Sequence, residues 1–231
     1  MLKELRQSRL LRLICASSTL FAAAASAQVS ATRRQLERVD IAVTGVGEFT
    51  KSVQGVNYQG ASLSQAASNT LGALVTIRYT KSPLLGAEFN YGYARYTENF
   101  ANSTPPGCTP STSVTGCQYI RGGAQTKAAE YTLGYVAHGP QLLGVQTFGS
   151  AGLGSIAFTP TPFGGQGLPE RARAAYYYAL GAETPVFSNH FGIRAQFRQV
   201  FFLAPDFGQN YLTIKKHTFT SEPGVGFYIH F

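Results

Sequence analysis

The chain has 231 residues, of which 13% are charged and 13% aromatic, with 25 glycines, no tryptophan and a mean hydropathy of −0.04. A helical membrane protein would need long apolar runs and a clearly positive mean hydropathy, so this composition argues against that class. The net charge of +8 suggests nucleic-acid binding. However, part of this charge lies near the N-terminus, and the rest is dispersed without a basic helix or an RNA-binding motif, which argues against a nucleic-acid partner.

The first 27 residues predict a secretory signal peptide. A basic start, Met1–Arg12, precedes an apolar segment rich in small residues, Leu13–Ala25. The segment is shorter than the ~20 residues of a spanning helix, so we prefer a cleaved leader to a retained membrane anchor. An Ala-Ser-Ala triplet of the A-x-A form ends at Ala27, so we expect cleavage between Ala27 and Gln28.

Two regions follow the predicted leader. Residues 28–39 are polar and lack apolar periodicity, so we expect a short N-terminal arm with a turn or so of helix. Residues 40–231 repeat one pattern throughout, with alternating segments separated by turn or loop residues, and are expected to form one domain.

The alternating segments predict β-strands. Side chains two positions apart on a strand point to the same face, so each segment has an apolar face and a small or polar face. Glycine makes the facing of the fifth segment ambiguous. In chain order the eight predicted strands are Ile41–Phe49, Asn69–Thr80, Leu85–Asn99, Gln125–Ala137, Val145–Phe158, Arg173–Thr184, Phe191–Leu203 and His217–Phe231.

The predicted connections alternate between long and short. The short turns are 81–84, 138–144 and 185–190, and the polar loops are 50–68, 100–124, 159–172 and 204–216. Transmembrane β-barrels combine short turns at one end with longer loops at the other. The strands also exceed the ~5–6 residues typical of soluble sheets and approach the ~9–11 needed to cross a bilayer.

We therefore predict an all-β fold, an eight-stranded antiparallel up-and-down transmembrane β-barrel. Unpaired backbone groups are costly in hydrocarbon, so a sheet that crosses lipid must close on itself. The alternative is a soluble periplasmic or secreted β-barrel, such as a lipocalin-like binder. Its outer faces would be polar, whereas these faces are aromatic and aliphatic.

The last strand alternates Val225, Phe227 and Ile229 with small or polar residues and ends on Phe231. With the strand pattern over 40–231, this ending resembles the small outer-membrane barrels of the OmpA/OmpX/OmpW type. The resemblance implies an outer-membrane location, with the arm and the short turns in the periplasm and outer-membrane lipid around the barrel. It also implies a C-terminal assembly signal that includes Tyr228 and Phe231, read during biogenesis by the barrel-assembly machinery and periplasmic chaperones.

Most ionisable residues of the strands share one face. An arginine at the bilayer midplane costs roughly 2–4 kcal/mol, so charges are expected on the lumen side. Eight of them fall opposite the apolar face and form a predicted lumen charge network: Glu48, Arg78, Glu88, Glu130, Glu183, Arg194, Arg198 and Glu222.

Hairpin spacing predicts partners within this network. Arg78 should pair with Glu88 across one short turn, and Glu183 with Arg194 across another. Arg198 should reach the last strand at Glu222, next to Glu48 on the first strand. We interpret the network as a salt-bridged plug that stabilises the barrel, because lumens of this size are filled by side chains. A gated pore or a proton path remains the alternative.

The remaining candidate sites are weak. Cys108 and Cys117 lie in a loop of an exported chain, which predicts a disulfide. A metal site is the alternative, but no Cys-x-x-Cys or nearby histidine supports it. Ser188 and His190 are the nearest match to a Ser/His/acid triad, without an evident acid partner. We predict no catalytic residues, no metal and no cofactor.

Together these observations favour a structural or surface-interaction role: envelope integrity, adhesion, or ligand contact through the external loops. One alternative is a narrow channel for small solutes. A second is a lipid-modifying barrel enzyme, which would need a Ser/His/acid cluster at one height of the barrel.

Overall fold

A computed structural model of the chain describes residues 33–58, 60–102, 121–188 and 190–231, with only the backbone at Phe187. Residues 33–36 form one helical turn, and no helix in the described ranges is long and apolar enough to cross a membrane. A short 3-10 helix, Asn210–Leu212, lies before the last strand. The strands of these ranges are β1 Val39–Thr50, β2 Val53–Val56, β3 Ser62–Ala67, β4 Thr70–Ser82, β5 Leu85–Asn102, β6 Arg121–Leu142, β7 Val145–Pro160, β8 Arg171–Ser188, β9 Phe191–Leu203 and β10 His217–His230.

Strands β1 and β4 to β10 form a closed antiparallel barrel in up-and-down order, which confirms the predicted fold. Each strand from β4 to β9 pairs with the next, β1 lies beside β4, and β10 returns to pair with β1. Closure gives the barrel wall no free edge, so its backbone donors and acceptors are satisfied within the sheet.

The closing pair, β1 and β10, shows the two faces of the wall. Val43 lies opposite Phe227, and each side chain is 57% exposed on the outer surface. The neighbouring residue Thr44 is only 1% exposed and faces the interior. The same alternation continues around the wall, and it leaves an outer band of exposed apolar side chains that includes Ile77, Leu133, Leu153, Leu180, Val225 and Ile229.

The predicted loop 50–68 is wrong, because it contains the β2–β3 hairpin. Strand β3 pairs with residues 98–102 of β5, beyond the part of β5 that pairs with β4. The hairpin thereby continues the wall past the end of β4, and Leu63 is fully buried there. Sequence periodicity missed it because both strands are too short to show a clear alternation.

Several predicted strand ends are also wrong, since the ladders run further at both ends. Strand β6 continues through the predicted turn at 138–144 to Leu142, because β7 pairs with it up to a two-residue turn. That turn consists of Leu143 and Gly144, with φ of 52° and 82°, the left-handed geometry that a tight hairpin requires. The predicted loop 100–124 likewise loses its ends to β5 and β6.

The interior is divided into two parts. In the half nearer the long connections, a hydrophobic cluster fills the barrel and includes Phe100, Phe158 and Phe202. Loop residues Phe207 and Leu212 are buried in the same cluster. In the half nearer the two-residue turns, the interior is polar and charged. We call these two halves the long-loop end and the short-turn end.

Candidate functional site

Three arginines occupy the polar part of the lumen. Arg78, Arg194 and Arg198 are each 1% exposed, and they are among the largest fully buried side chains of the described residues. Arg78 is on β4, whereas Arg194 and Arg198 are both on β9. Each lies at an inward position, directly opposite a glutamate on a neighbouring strand. The opposed pairs are Arg78 with Glu88, Arg194 with Glu183, and Arg198 with Glu222.

The first cluster lies at the short-turn end, and Glu183 is its centre. One Glu183 oxygen, Oε2, lies 2.8 Å from Arg194 Nε and 3.3 Å from Arg78 Nη1. Arg78 Nη2 is 2.9 Å from Glu88 Oε2, and Arg194 Nη2 is 2.7 Å from Asp40 Oδ1. Two cations are therefore held by three carboxylates, in an alternating chain across the lumen.

Aromatic rings cover the two guanidinium groups of this cluster. The Phe148 ring centre lies 4.3 Å from the Arg78 guanidinium carbon and 5.5 Å from that of Arg194. The Tyr228 ring lies 5.1 Å from Arg194 on the side of the last strand. Such contacts favour arginine, whose weakly hydrated planar group stacks on aromatic faces. Tyr228, predicted as part of the assembly signal, thus points into the lumen.

The second cluster lies deeper and is centred on Arg198. Its Nη1 is 2.7 Å from Glu222 Oε2 and 3.0 Å from Glu130 Oε2, and Nη2 also contacts Glu130. Thr132 accepts a further hydrogen bond from Nη2 at 3.2 Å. Glu48 lines the same small cavity as Glu130 and Glu222, but no described Lys or Arg nitrogen lies within 4 Å of its carboxylate. The cluster is therefore acidic overall.

Tyr177 connects the two clusters. Its hydroxyl donates to Glu88 Oε1 at 2.8 Å and accepts from Asn90 Nδ2 at 3.0 Å, while its ring lies 4.3 Å from the Arg198 guanidinium carbon. Gly134 lies beside this hydroxyl, where a Cβ atom would collide with it. Charged and hydrogen-bonded groups are thus continuous along the polar half of the lumen.

Sequence spacing identified the cross-strand partners but missed the longer-range ones. It did not assign Asp40 to Arg194, Glu130 to Arg198 or Glu183 to Arg78. These contacts depend on which strands face each other across the closed barrel, which hairpin spacing does not specify.

His138 is a further correction, since it was placed at the start of the predicted turn 138–144 but lies on β6. Its Nε2 lies 3.4 Å from Glu183 Oε1, and its side chain is only 11% exposed. It lines an open cleft of about 550 Å³ at the short-turn end, together with Asp40, Ser82 and Glu183. In a Ser/His/acid triad, the serine hydroxyl bonds the histidine nitrogen that does not face the acid. His138 Nδ1 has no hydrogen-bond partner in the described part of the chain, so Ser82 does not form such a bond.

The described residues give no support to the other predicted sites. The cysteines Cys108 and Cys117 and the cleavage site at Ala27 and Gln28 lie outside the described residues. His190 Nδ1 lies 3.0 Å from the backbone oxygen of His230, and no Asp or Glu contact with His190 is found in the described ranges. No group of three or more His, Cys, Asp or Glu within these ranges could hold a metal ion.

Comparison with known proteins identifies the fold. No family model and no curated protein sequence matches the chain. Among solved structures, the outer membrane protein OprG from Pseudomonas aeruginosa is similar, with a TM-score of 0.51, 13% identity, and coverage of 83% of this chain and 95% of that one. The fold is that of the small outer-membrane β-barrels.

Two further solved structures have lower similarity scores. Neisserial surface protein A has a TM-score of 0.47 at 12% identity, covering 83% of this chain and 97% of its own. Ail of Yersinia pestis has a TM-score of 0.41 at 14% identity, covering 83% and 99%. At these identities the likeness describes the fold alone. The fold and the apolar outer band of the wall together indicate an outer-membrane location.

Proposed function

We propose that the chain is a sealed outer-membrane barrel with a structural and surface-contact role. One observation carries this proposal: the lumen is filled along its length. Arg78, Arg194 and Arg198 are each 1% exposed and paired with carboxylates in the polar half. A hydrophobic cluster fills the other half.

The interior space supports a sealed lumen. The cavity between the two halves, beside Glu48 and Glu222, has a volume of about 20 Å³. A single water molecule needs roughly 10–15 Å³ on the same measure, so this cavity holds about one water and no continuous column. The open cleft at the short-turn end includes Asp40 and Glu183 in its lining, and their arginine partners are almost fully buried.

The external connections are held together, which supports a surface-contact role. Gln65 Nε2 of β3 donates to the Pro205 backbone oxygen at 2.8 Å, and Asn57 Nδ2 donates to the Tyr211 oxygen at 3.1 Å. The β2–β3 hairpin is thereby attached to the connection between β9 and β10. Exposed apolar residues on the external connections, Val56, Tyr58 and Phe163, give a partner something to contact.

Ion conductance of the folded chain in a planar lipid bilayer tests the sealed lumen. We expect no stepwise current at a protein concentration where a 16-stranded porin, whose lumen is water-filled, conducts readily. Stepwise currents from folded protein would overturn the sealed barrel and support the narrow channel instead.

The surface-contact role needs a separate comparison in cells that lack the protein. A Tyr58→Ser/Phe163→Ser variant should restore resistance to detergent, because both side chains are exposed and the barrel is untouched. The same variant should fail to restore adhesion or ligand capture. Full recovery of both properties would leave only the structural role.

A further inference from the structure

Acidic and basic side chains of the barrel differ in their exposure: most acids face the interior, whereas many cations face outward. Among the described acids from residue 40 onward, only Glu170 is exposed, and the others are buried or half-buried. The exposed surface of the long-loop end is rich in cations instead: Lys51, Arg95, Arg121, Lys127, Arg171, Lys215 and Lys216. From residue 40 onward, the exposed positive charge of the described residues therefore lies mainly at this end.

Two of these cations lie side by side on the outer wall. Arg95 on β5 is directly opposite Lys127 on β6, and both side chains are exposed. Residues opposite each other on adjacent strands point to the same face, with Cβ atoms about 5 Å apart. The sequence between the two strands, residues 103–120, contains no Asp or Glu.

The pair marks the border of the apolar band. On the side of the pair towards the short-turn end, Tyr91 of β5 and Tyr131 of β6 lie opposite each other, with ring centres 5.2 Å apart. Beyond it, the outward residues of β5 become polar, beginning with Thr97. In membrane proteins this transition, with aromatic residues next to basic ones, lies at the height of the lipid headgroups.

Within the described residues, no carboxylate forms an ion pair with Arg95 or Lys127. Arg95 Nη2 donates to the Gln125 amide oxygen at 3.2 Å, and within the described residues no carboxylate lies within 4 Å of Arg95 or Lys127. Thr159 of β7 lies opposite Lys127, and its hydroxyl donates a hydrogen bond to Glu170. Like charges directly opposite each other destabilise a sheet, so an external anion would relieve this repulsion.

We infer that Arg95 and Lys127 form a binding site for the phosphate of an anionic membrane lipid, whose acyl chains lie along the tyrosine pair. A guanidinium offers two parallel donors to a phosphate, and the ammonium group adds a second positive charge. The occupant is a lipid rather than a free phosphate because the site faces outward at the end of the apolar band. This inference rests on the proposed membrane role of the barrel.

Lipid retention by the folded protein in a neutral detergent, measured by native mass spectrometry, tests the site. The probes are phosphatidic acid, phosphatidylcholine and inorganic phosphate. We expect phosphatidic acid to bind in preference to the other two. An Arg95→Gln/Lys127→Gln variant should bind it about 30-fold more weakly, the effect of removing two basic residues beside an anionic lipid surface.

Two matched variants separate a specific site from general charge. Lys81→Gln/Lys215→Gln removes the same charge from exposed positions elsewhere and should stay within about threefold of the wild type. Arg95→Lys/Lys127→Arg keeps the charge and should retain the lipid. Equal losses in both glutamine variants, no retention by the wild type, or equal binding of inorganic phosphate would each overturn the lipid site. Heat-dependent gel mobility verifies the folding of every variant. Because the sealed lumen is tested by conductance, loss of the lipid site and failure of the sealed lumen are distinguishable.

Discussion

Replacing Arg198 with methionine should destabilise the barrel strongly. Arg198 bonds Glu222 at 2.7 Å, contacts Glu130 and covers the Tyr177 ring. Methionine keeps an unbranched apolar chain beside that ring but leaves two buried carboxylates without their cation. Removing one partner of a buried ion pair typically costs about 3–5 kcal/mol, and we expect a loss of this size in the free energy of unfolding.

Removing the stranded charges should reverse most of this loss. In an Arg198→Met background, adding Glu130→Gln and Glu222→Gln replaces two carboxylates with neutral amides of similar shape. The triple variant should therefore be more stable than the single variant, although either glutamine change alone should destabilise the wild type. Lys81→Met is the matched control, since Lys81 is exposed and should change stability by no more than about 0.5 kcal/mol.

Urea unfolding in lipid vesicles, followed by far-UV circular dichroism, measures these changes. Tryptophan fluorescence is not available as a probe because the chain contains no tryptophan. A lower urea midpoint with an unchanged slope indicates lost stability without a change in the surface exposed on unfolding. An Arg198→Met variant that unfolds at the wild-type midpoint, or a triple variant less stable than the single one, would contradict this prediction.

Three further predictions concern other contacts. Glu88→Ala should lower thermal stability by about 3 kcal/mol by removing the closest partner of Arg78, and an unchanged melting temperature would argue against that pairing. Phe207→Ala should cost about 3–5 kcal/mol because the ring is fully buried, and limited proteolysis should then cut the connection between β9 and β10; continued resistance would show that the ring does not hold it. Burial raises the pKa of Asp206, but a backbone N–H and the guanidinium of Arg173 outweigh it and hold this pKa below its usual value. The ionised Asp206 carboxylate therefore stabilises this connection above about pH 4, and the stabilisation is lost as the pH falls below that value. Proteolytic cleavage of the connection should rise at about pH 3 in the wild type and be pH-independent in Asp206→Asn.

The sequence predicted the membrane-facing parts of the strands well, because two physical rules act together there. Side chains alternate with a period of two, and lipid excludes charge from one of the two faces. Glu88 and Arg194 could therefore be assigned to the lumen from sequence position alone, and both are buried. Outside the apolar band both faces of a strand can be polar, so the alternation fades. This is why the β2–β3 hairpin and the outer ends of β5 and β6 were read as loops.

Partners across the lumen could not be predicted for a different reason. Hairpin spacing relates neighbouring strands, whereas Asp40 and Arg194 lie 154 positions apart on strands that are not neighbours. Their contact depends on the tilt and stagger of the closed barrel. His138 was missed similarly, since the turn that positions it was placed too early. The hydrophobic filling of the long-loop end depends on loop residues such as Phe207, whose burial leaves no periodic signal in the sequence.

The central claim, a closed barrel in the outer membrane, is tested most directly by electrophoresis of outer-membrane fractions in SDS before and after boiling. A closed barrel keeps its ladder in cold detergent, so we predict that unheated protein in this fraction migrates at a different apparent size from boiled protein. Recovery of the chain in the soluble periplasmic fraction, without any change in mobility on boiling, would contradict the claim. The exposed apolar band would then have to pack inside a soluble protein, and the sealed lumen and the lipid site would both lose their basis.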